Sequence, residues 1–231
     1  MERIRIKFEK NGAMRYTSHL DLQKVWIRAL LRAKLPLAYT QGFHPTPKVG
    51  YAWPLPLGWG TKGELIDIWL DDPTGAEIEA ESFIPLVNRS MPDGLKILSI
   101  EKLPYSDPAL TIVIRSAVYQ MVFPRETEAS TLQDKMDCLM AQETIERERR
   151  GKVYDMKPLI ESWAVSPDEE GRACMQVQMA ARDSAMGRPD ELAAALGFDP
   201  FEVNIVRLEY LLQQGTGTGQ KATETESSSR I

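Results

Sequence analysis

Arg3-Ile4-Arg5-Ile6-Lys7-Phe8 alternates without a break. Ile4, Ile6 and Phe8 share one side; Arg3, Arg5 and Lys7 share the other. A period of two with β-branched apolar residues predicts a strand with one buried face. The pair Asn11-Gly12 follows as a turn. A helix is expected to begin near Ser18, because Ser18 and Asp21 stand at capping-box spacing. Leu22, Trp26, Ala29, Leu30 and Ala33 supply its apolar stripe. Lys24, Arg28 and Arg32 recur every fourth residue on another side, and Pro36 ends the helix.

Working outward, Val49–Trp53 and Glu64–Leu70 read as strands, Gly75–Val87 as a helix and Leu95–Leu103 as a strand. Strand–helix–strand–strand–helix–strand is the order of an α+β, ferredoxin-like split βαβ unit. Helices on one side of such a sheet leave its other side free for a partner. The second half suggests the plan again. Leu110–Phe123, Arg172–Ala181 and Glu202–Leu212 read as strands, Thr131–Arg150 and Pro189–Leu196 as helices, and Met156–Val165 as mixed. The expected organisation is a ferredoxin-like domain over 1–105, a second α+β unit over 106–213, a divergent repeat by element order alone, and a disordered low-complexity tail over 214–231.

Hydrophobic residues make up 43 % of the 231 residues and charged ones 26 %, which suits a packed core. No apolar run approaches a membrane span, and MERIRIKFEK is not a signal peptide, so the expected setting is cytoplasmic. Cys138 and Cys174 lie far apart and form no CxxC pair. The net charge of −5 conceals an asymmetry: residues 1–60 hold ten Lys/Arg against three Asp/Glu. An acidic protein can therefore still offer a local field to an anionic partner.

The only histidines, His19 and His44, both fall in that basic block. With Asp21 they are candidates for an acid–base or metal site, although neither belongs to a metal-binding spacing. Structural hydrogen bonding is the competing role for both. The helix start at Ser18 can present backbone amides to an anion, with Arg15 and Lys48 nearby; a solvated Arg15 and a self-satisfied cap are the alternative. Tyr39 and Phe43 add aromatic surface for a substrate. Trp53 and Trp59 bracket Pro54-Leu55-Pro56-Leu57-Gly58, either as a stacking platform or as a satellite core. Arg3, Arg5 and Lys7, with Lys24, Arg28 and Arg32, form two basic rows suited to a nucleic-acid backbone or to plain solvation. The chain contains no GxGxxG, Walker A, HExxH or GxSxG motif, and no cofactor or metal is expected.

Met14-Arg15-Tyr16-Thr17-Ser18-His19-Leu20-Asp21-Leu22 and Leu35-Pro36-Leu37-Ala38-Tyr39-Thr40-Gln41-Gly42-Phe43-His44-Pro45-Thr46-Pro47-Lys48-Val49 are most informative when taken together. With the PLPLG run and Glu64-Leu65-Ile66-Asp67-Ile68 they resemble the radical SAM-linked family, a domain of unknown function. The resemblance is specific over about residues 1–105. It carries onto Arg15, Ser18, His19, Asp21, Tyr39, Gly42, Phe43, His44, Pro45, Pro47 and Lys48, without assigning their roles. Members are often fused to, or encoded beside, radical SAM proteins, and neighbourhoods with ribonuclease G and ribosomal protein genes occur. This implies a companion in RNA modification or metabolism. A radical SAM cluster needs three cysteines, so any such chemistry belongs to another chain.

Three readings follow. The first is an accessory, RNA-related module positioning a substrate for a radical SAM or RNA-processing partner. The second is a small-pocket enzyme using His19, Asp21 and His44. The third is a protein–protein adaptor working through the Trp/Pro loop or the acidic second half.

Overall fold

The computed structural model describes residues 1–71 and 79–213. The expected disordered tail, and the residues 75–78 of the expected second helix, lie outside the described residues.

The opening alternation becomes β1 (Glu2–Lys10), and Gly12–Tyr16 forms a single 3-10 turn. Helix α1 (His19–Arg32) starts at Ser18, whose hydroxyl accepts from the Asp21 amide at 3.2 Å. It stops where Lys34 takes a positive φ of 55°, two residues before Pro36. Leu22, Trp26, Ala29 and Leu30 face inward, and Trp26 meets Phe8 edge-on at 4.8 Å. Burying such a side chain contributes about 1.5–3 kcal/mol. Then come β2 (Val49–Tyr51), β3 (Gly60–Leu70), α2 (Ala80–Asn88) and β4 (Leu95–Leu103).

The second half contains α3 (Leu110–Val113), β5 (Ile114–Val122), α4 (Ala129–Ala141), β6 (Glu146–Arg149), β7 (Lys152–Asp155), β8 (Ile160–Pro167), β9 (Ala173–Arg182), β10 (Ala185–Met186), α5 (Pro189–Ala195) and β11 (Asn204–Leu212). Two local expectations change. Leu110–Val113 is one helical turn ahead of the strand. The helix expected over Thr131–Arg150 ends at Ala141, and Glu146-Arg147-Glu148-Arg149 is a strand. Beyond Ile145 no apolar residue continues the helical stripe, and charge alternates with the period of a strand.

The larger correction concerns architecture. The chain is α+β, but it does not divide into two ferredoxin-like halves. Among the described residues nine strands share one sheet, ordered β10-β9-β5-β11-β3-β1-β4, with β2 added on β3 and β8 on β9. Strand β11 makes the fusion. It pairs antiparallel with β5 along most of its length, and parallel with β3 at Val206–Gly60 and Arg207–Thr61. On the same edge of β3, β2 occupies the far end, at Val49–Ile68 to Tyr51–Ile66. An eleven-residue strand is long enough to hold both neighbours. Element order specifies local pairings, but not what covers the edge of β3 that those pairings leave free. One core packs α1 and α2 on β1, β3 and β4; the other packs α4 and α5 on β5, β9 and β11.

Candidate functional site

The seam between the two cores is built from charge. Period two continues inward past Phe8, so Lys10 lands on the buried side with 1 % of its surface exposed. Glu64 of β3 lies on that side too, and Arg207 of β11 reaches it at 2.7 Å. The Arg207 guanidinium also donates to the Trp53 carbonyl at 3.2 Å and to the Tyr210 hydroxyl. The Tyr210 hydroxyl in turn donates to the Trp53 carbonyl at 2.9 Å. Trp53 Nε1 donates to the Ala181 carbonyl at 3.1 Å, and Trp59 lies edge-on to Tyr119 at 5.9 Å. The two tryptophans flanking the PLPLG run therefore rivet the N-terminal motif to β5, β9 and β11.

Beside this network is a cavity of about 20 Å³, lined by Lys10, Thr17, His19, Tyr51, Thr61 and Glu64 among others. That is room for one water. Burial pulls the Lys10 amine below its ordinary pKa, opposed by Glu64 and aided by Arg207 and Arg15. Burial likewise lowers His19. The His19 Nε2 lies 2.9 Å from Gln23 Nε2, and its ring meets Tyr51 edge-on at 5.7 Å.

The three candidate catalytic residues are not gathered around this cavity. Asp21 is exposed; the Ser18 hydroxyl (2.8 Å) and Lys24 (3.1 Å) both reach it and hold its pKa below the usual range. His44 is exposed at the tip of a loop closed by Thr40 and Thr46, whose backbone hydrogen bond is 2.8 Å. Phe43 beside it is fully exposed, and Tyr39 is exposed at the loop's base. Lys48 lies between the rings of Trp69 (4.7 Å) and Tyr105 (4.8 Å). Among the described residues no group of three or more His, Cys, Asp or Glu is arranged to hold a metal.

The two basic rows fare differently. Arg3 and Arg5 are buried around Asp67, at 2.6 and 2.9 Å, and Arg3 also donates to the Pro108 carbonyl at 2.8 Å. Both faces of β1 are covered here, so these two arginines hold the fold. Lys7 is half-buried over a hollow it shares with Arg5, Glu101 and Glu209. Lys24, Arg28 and Arg32 remain on the exposed side of α1.

A larger cleft, about 640 Å³, opens where the family-like motif meets the second half. One wall is Arg15, Tyr16 and Pro56–Trp59; the other is Arg188, Asp190 and Pro200–Ile205. Arg15 spans the two: its Nε donates to the Gly58 carbonyl and its Nη2 to Asn204 Oδ1, each at 2.7 Å. Tyr16 is 70 % exposed and Phe201 98 %, so each offers a bare ring to whatever enters. Arg188 is held by Asp190. This volume is that of a small-ligand site. Arg15 is among the substrate-binding residues expected from the sequence; Phe201 and Arg188 are not, because no local pattern signals that the turn before β11 and the start of α5 come to lie beside Arg15.

Among the described residues no helix is long and apolar enough to cross a membrane. No curated protein matches the chain. One solved structure, described as a provisionally assigned glycine cleavage system transcriptional repressor, is similar at 11 % identity. The similarity covers 88 % of this chain and 94 % of that one, with a TM-score of 0.26. A family model described as "uncharacterized protein conserved in bacteria (DUF2344)" matches residues 3–189. The match takes in the charged seam's N-terminal half and the Arg15 wall of the cleft, and the chain belongs to the DUF2344 family, which is commonly linked to radical SAM systems.

Proposed function

We propose that this chain is an accessory module that holds an RNA substrate for a radical SAM enzyme carried on another polypeptide, with the 640 Å³ cleft receiving a base or nucleoside. The observation that supports this most is the presence of two bare rings, Tyr16 and Phe201, in the lining of one cleft bridged by Arg15. Aromatic faces stack on bases of any sequence, at about 1–3 kcal/mol per base. Arg15 keeps one terminal nitrogen unused by its two bonds to protein. The exposed Lys24–Arg28–Arg32 row on α1 can track a phosphate backbone.

The test is a titration of the purified chain with tRNA and with mixed cellular RNA. Wild type is compared with a Tyr16→Ala/Phe201→Ala variant at several salt concentrations. Binding that weakens about tenfold or more in the variant supports the cleft. Equal binding by both proteins sinks it, and no binding by wild type at low salt sinks RNA recognition altogether.

The Phe43 loop supports a second role, contact with the partner enzyme, because a fully exposed phenylalanine has nothing of its own chain to cover it. Co-purification of the two chains, lost on Phe43→Ser, would establish it; retention would remove the loop from the interface.

A further inference from the structure

Strands β6 and β7 pair only with each other, apart from the main sheet. The base of this hairpin is firmly held. Asp155 Oδ1 accepts from the Ile145 and Lys157 amides at 2.8 and 2.9 Å, and the Met156 amide donates to the Ile145 carbonyl at 2.8 Å. Ile145 and Met156 are buried, and Tyr154 bonds through its hydroxyl to Glu191 of α5.

The tip is built against its own stability. Arg149 stands directly opposite Lys152, and Arg147 opposite Tyr154, so three cations share one face. Like charges placed opposite one another destabilise a ladder. The two-residue loop is Arg150-Gly151, with φ of +52° and +74°. Such a turn favours Asn, Asp or Gly at its first position, and an arginine there is strained. Among the described residues, Arg147, Arg149, Arg150 and Lys152 make no side-chain hydrogen bond or ion pair, although Glu191 feels the charges of Arg149 and Arg147. This concentration of positive charge stands in the acidic half of the chain. Binding of an external anion would lower the repulsion retained at this exposed tip.

We infer that the β6–β7 hairpin is a basic ribbon that grips the phosphodiester backbone of the nucleic acid, through Arg149, Arg150 and Lys152. The inference rests on the reading that the substrate is RNA and adds a contact on the second half of the chain. A narrow two-stranded ribbon with cations at its tip can follow a row of phosphates, and such contacts set position without reading sequence.

The experiment is fluorescence anisotropy of the full chain with labelled tRNA, a single-stranded RNA and a DNA strand of the same sequence. Three proteins are compared: wild type, Arg149→Gln/Arg150→Asn/Lys152→Gln, and the Tyr16→Ala/Phe201→Ala cleft variant. The hairpin variant is expected to lose about tenfold or more in affinity at 0.1 M salt. Its log–log salt slope should fall by about 2, at roughly 0.7 per single-strand phosphate contact. Equal losses on RNA and DNA support a backbone contact with either; a loss confined to RNA supports the same contact with RNA as its source. Arg150→Asn alone should raise Tm, by relieving the turn, while weakening binding; a purely structural role would not move the two in opposite directions. Unchanged affinity and slope in the hairpin variant, with binding still lost in the cleft variant, overturns the ribbon and leaves the cleft standing. A wild-type chain that binds none of the three probes overturns both. Loss of an acidic protein partner, with nucleic-acid binding intact, overturns the ribbon in favour of a protein contact.

Discussion

Arg207 Nη1 lies 2.7 Å from Glu64 Oε2, with both side chains buried and the two residues 143 positions apart in the chain. Glu64 belongs to β3 and Arg207 to β11, so this ion pair spans the joint that makes one sheet of two halves. Replacing Arg207 by methionine leaves a buried carboxylate without its ion-pair partner, with the Leu65 amide at 3.4 Å and the longer-range charge of Lys10 as what remains to it. The expected cost is about 3–5 kcal/mol, measured as the urea midpoint with an unchanged m-value. A Glu64→Gln/Arg207→Met double variant should recover part of that loss. A single-variant cost below about 1 kcal/mol would mean that water reaches the pair.

Lys10 should behave in the opposite way. Its amine is desolvated, and Arg207 and Arg15 repel it. Lys10→Met keeps the volume and leaves Glu64 its guanidinium partner. Stability at pH 7 should therefore stay the same or rise by about 1 kcal/mol. A large loss in thermal or urea unfolding would show that Lys10 is a principal counter-ion of Glu64.

His19 predicts a pH dependence of definite sign. Burial lowers its pKa from the ordinary 6.5. Between the lowered and ordinary values the unfolded chain holds a proton that the native chain does not. Stability therefore falls as pH drops through that window and levels off below the folded pKa. His19→Gln should flatten the acid side of the stability profile relative to wild type, from about pH 7 downward. Parallel wild-type and variant profiles would refute the shift.

Gly63 offers a steric test of the same joint. A Cβ there would run into the Leu208 carbonyl oxygen and come within 3.0 Å of the Glu209 Cα, both backbone atoms of β11. Close backbone approach explains a glycine inside a strand. Gly63→Ala should cost about 2–3 kcal/mol, and amide exchange should accelerate in β11 and in the adjoining end of β3 before it does in α1. Uniform acceleration would instead point to general unfolding.

What the sequence disclosed was local. Period two placed Ile4, Ile6 and Phe8 in the core, and the Ser18–Asp21 spacing located the start of α1. The same alternation pointed Arg3 and Arg5 away from that core. They are nevertheless buried, because Asp67 and the Pro108 carbonyl cover the opposite face. A pattern of polarity reports which side a residue takes, and not whether a distant segment covers it. Lys10 was legible in principle as the next inward position after Phe8. Arg207 was not, since nothing within a few residues of it signals Glu64. The tip cations of β6 and β7 were obscured by a helical reading carried past Ala141, where alternation at Glu146-Arg147-Glu148-Arg149 was the overriding sign. His19 and Asp21, two positions apart on α1, separate because one faces the cavity and the other the solvent.

The parallel meeting of β3 and β11 also has a temporal meaning. On the ribosome β11 emerges after every strand it touches, at roughly 5–20 residues per second. For several seconds β3 waits with an open edge, and Glu64 with no guanidinium beside it. Early hairpins can form in that interval, but the sheet can close only in a late step, spanning 143 residues between Glu64 and Arg207. A nascent chain stalled before residue 204 would leave that stretch of the β3 edge unpaired and open to edge-to-edge association until β11 arrives.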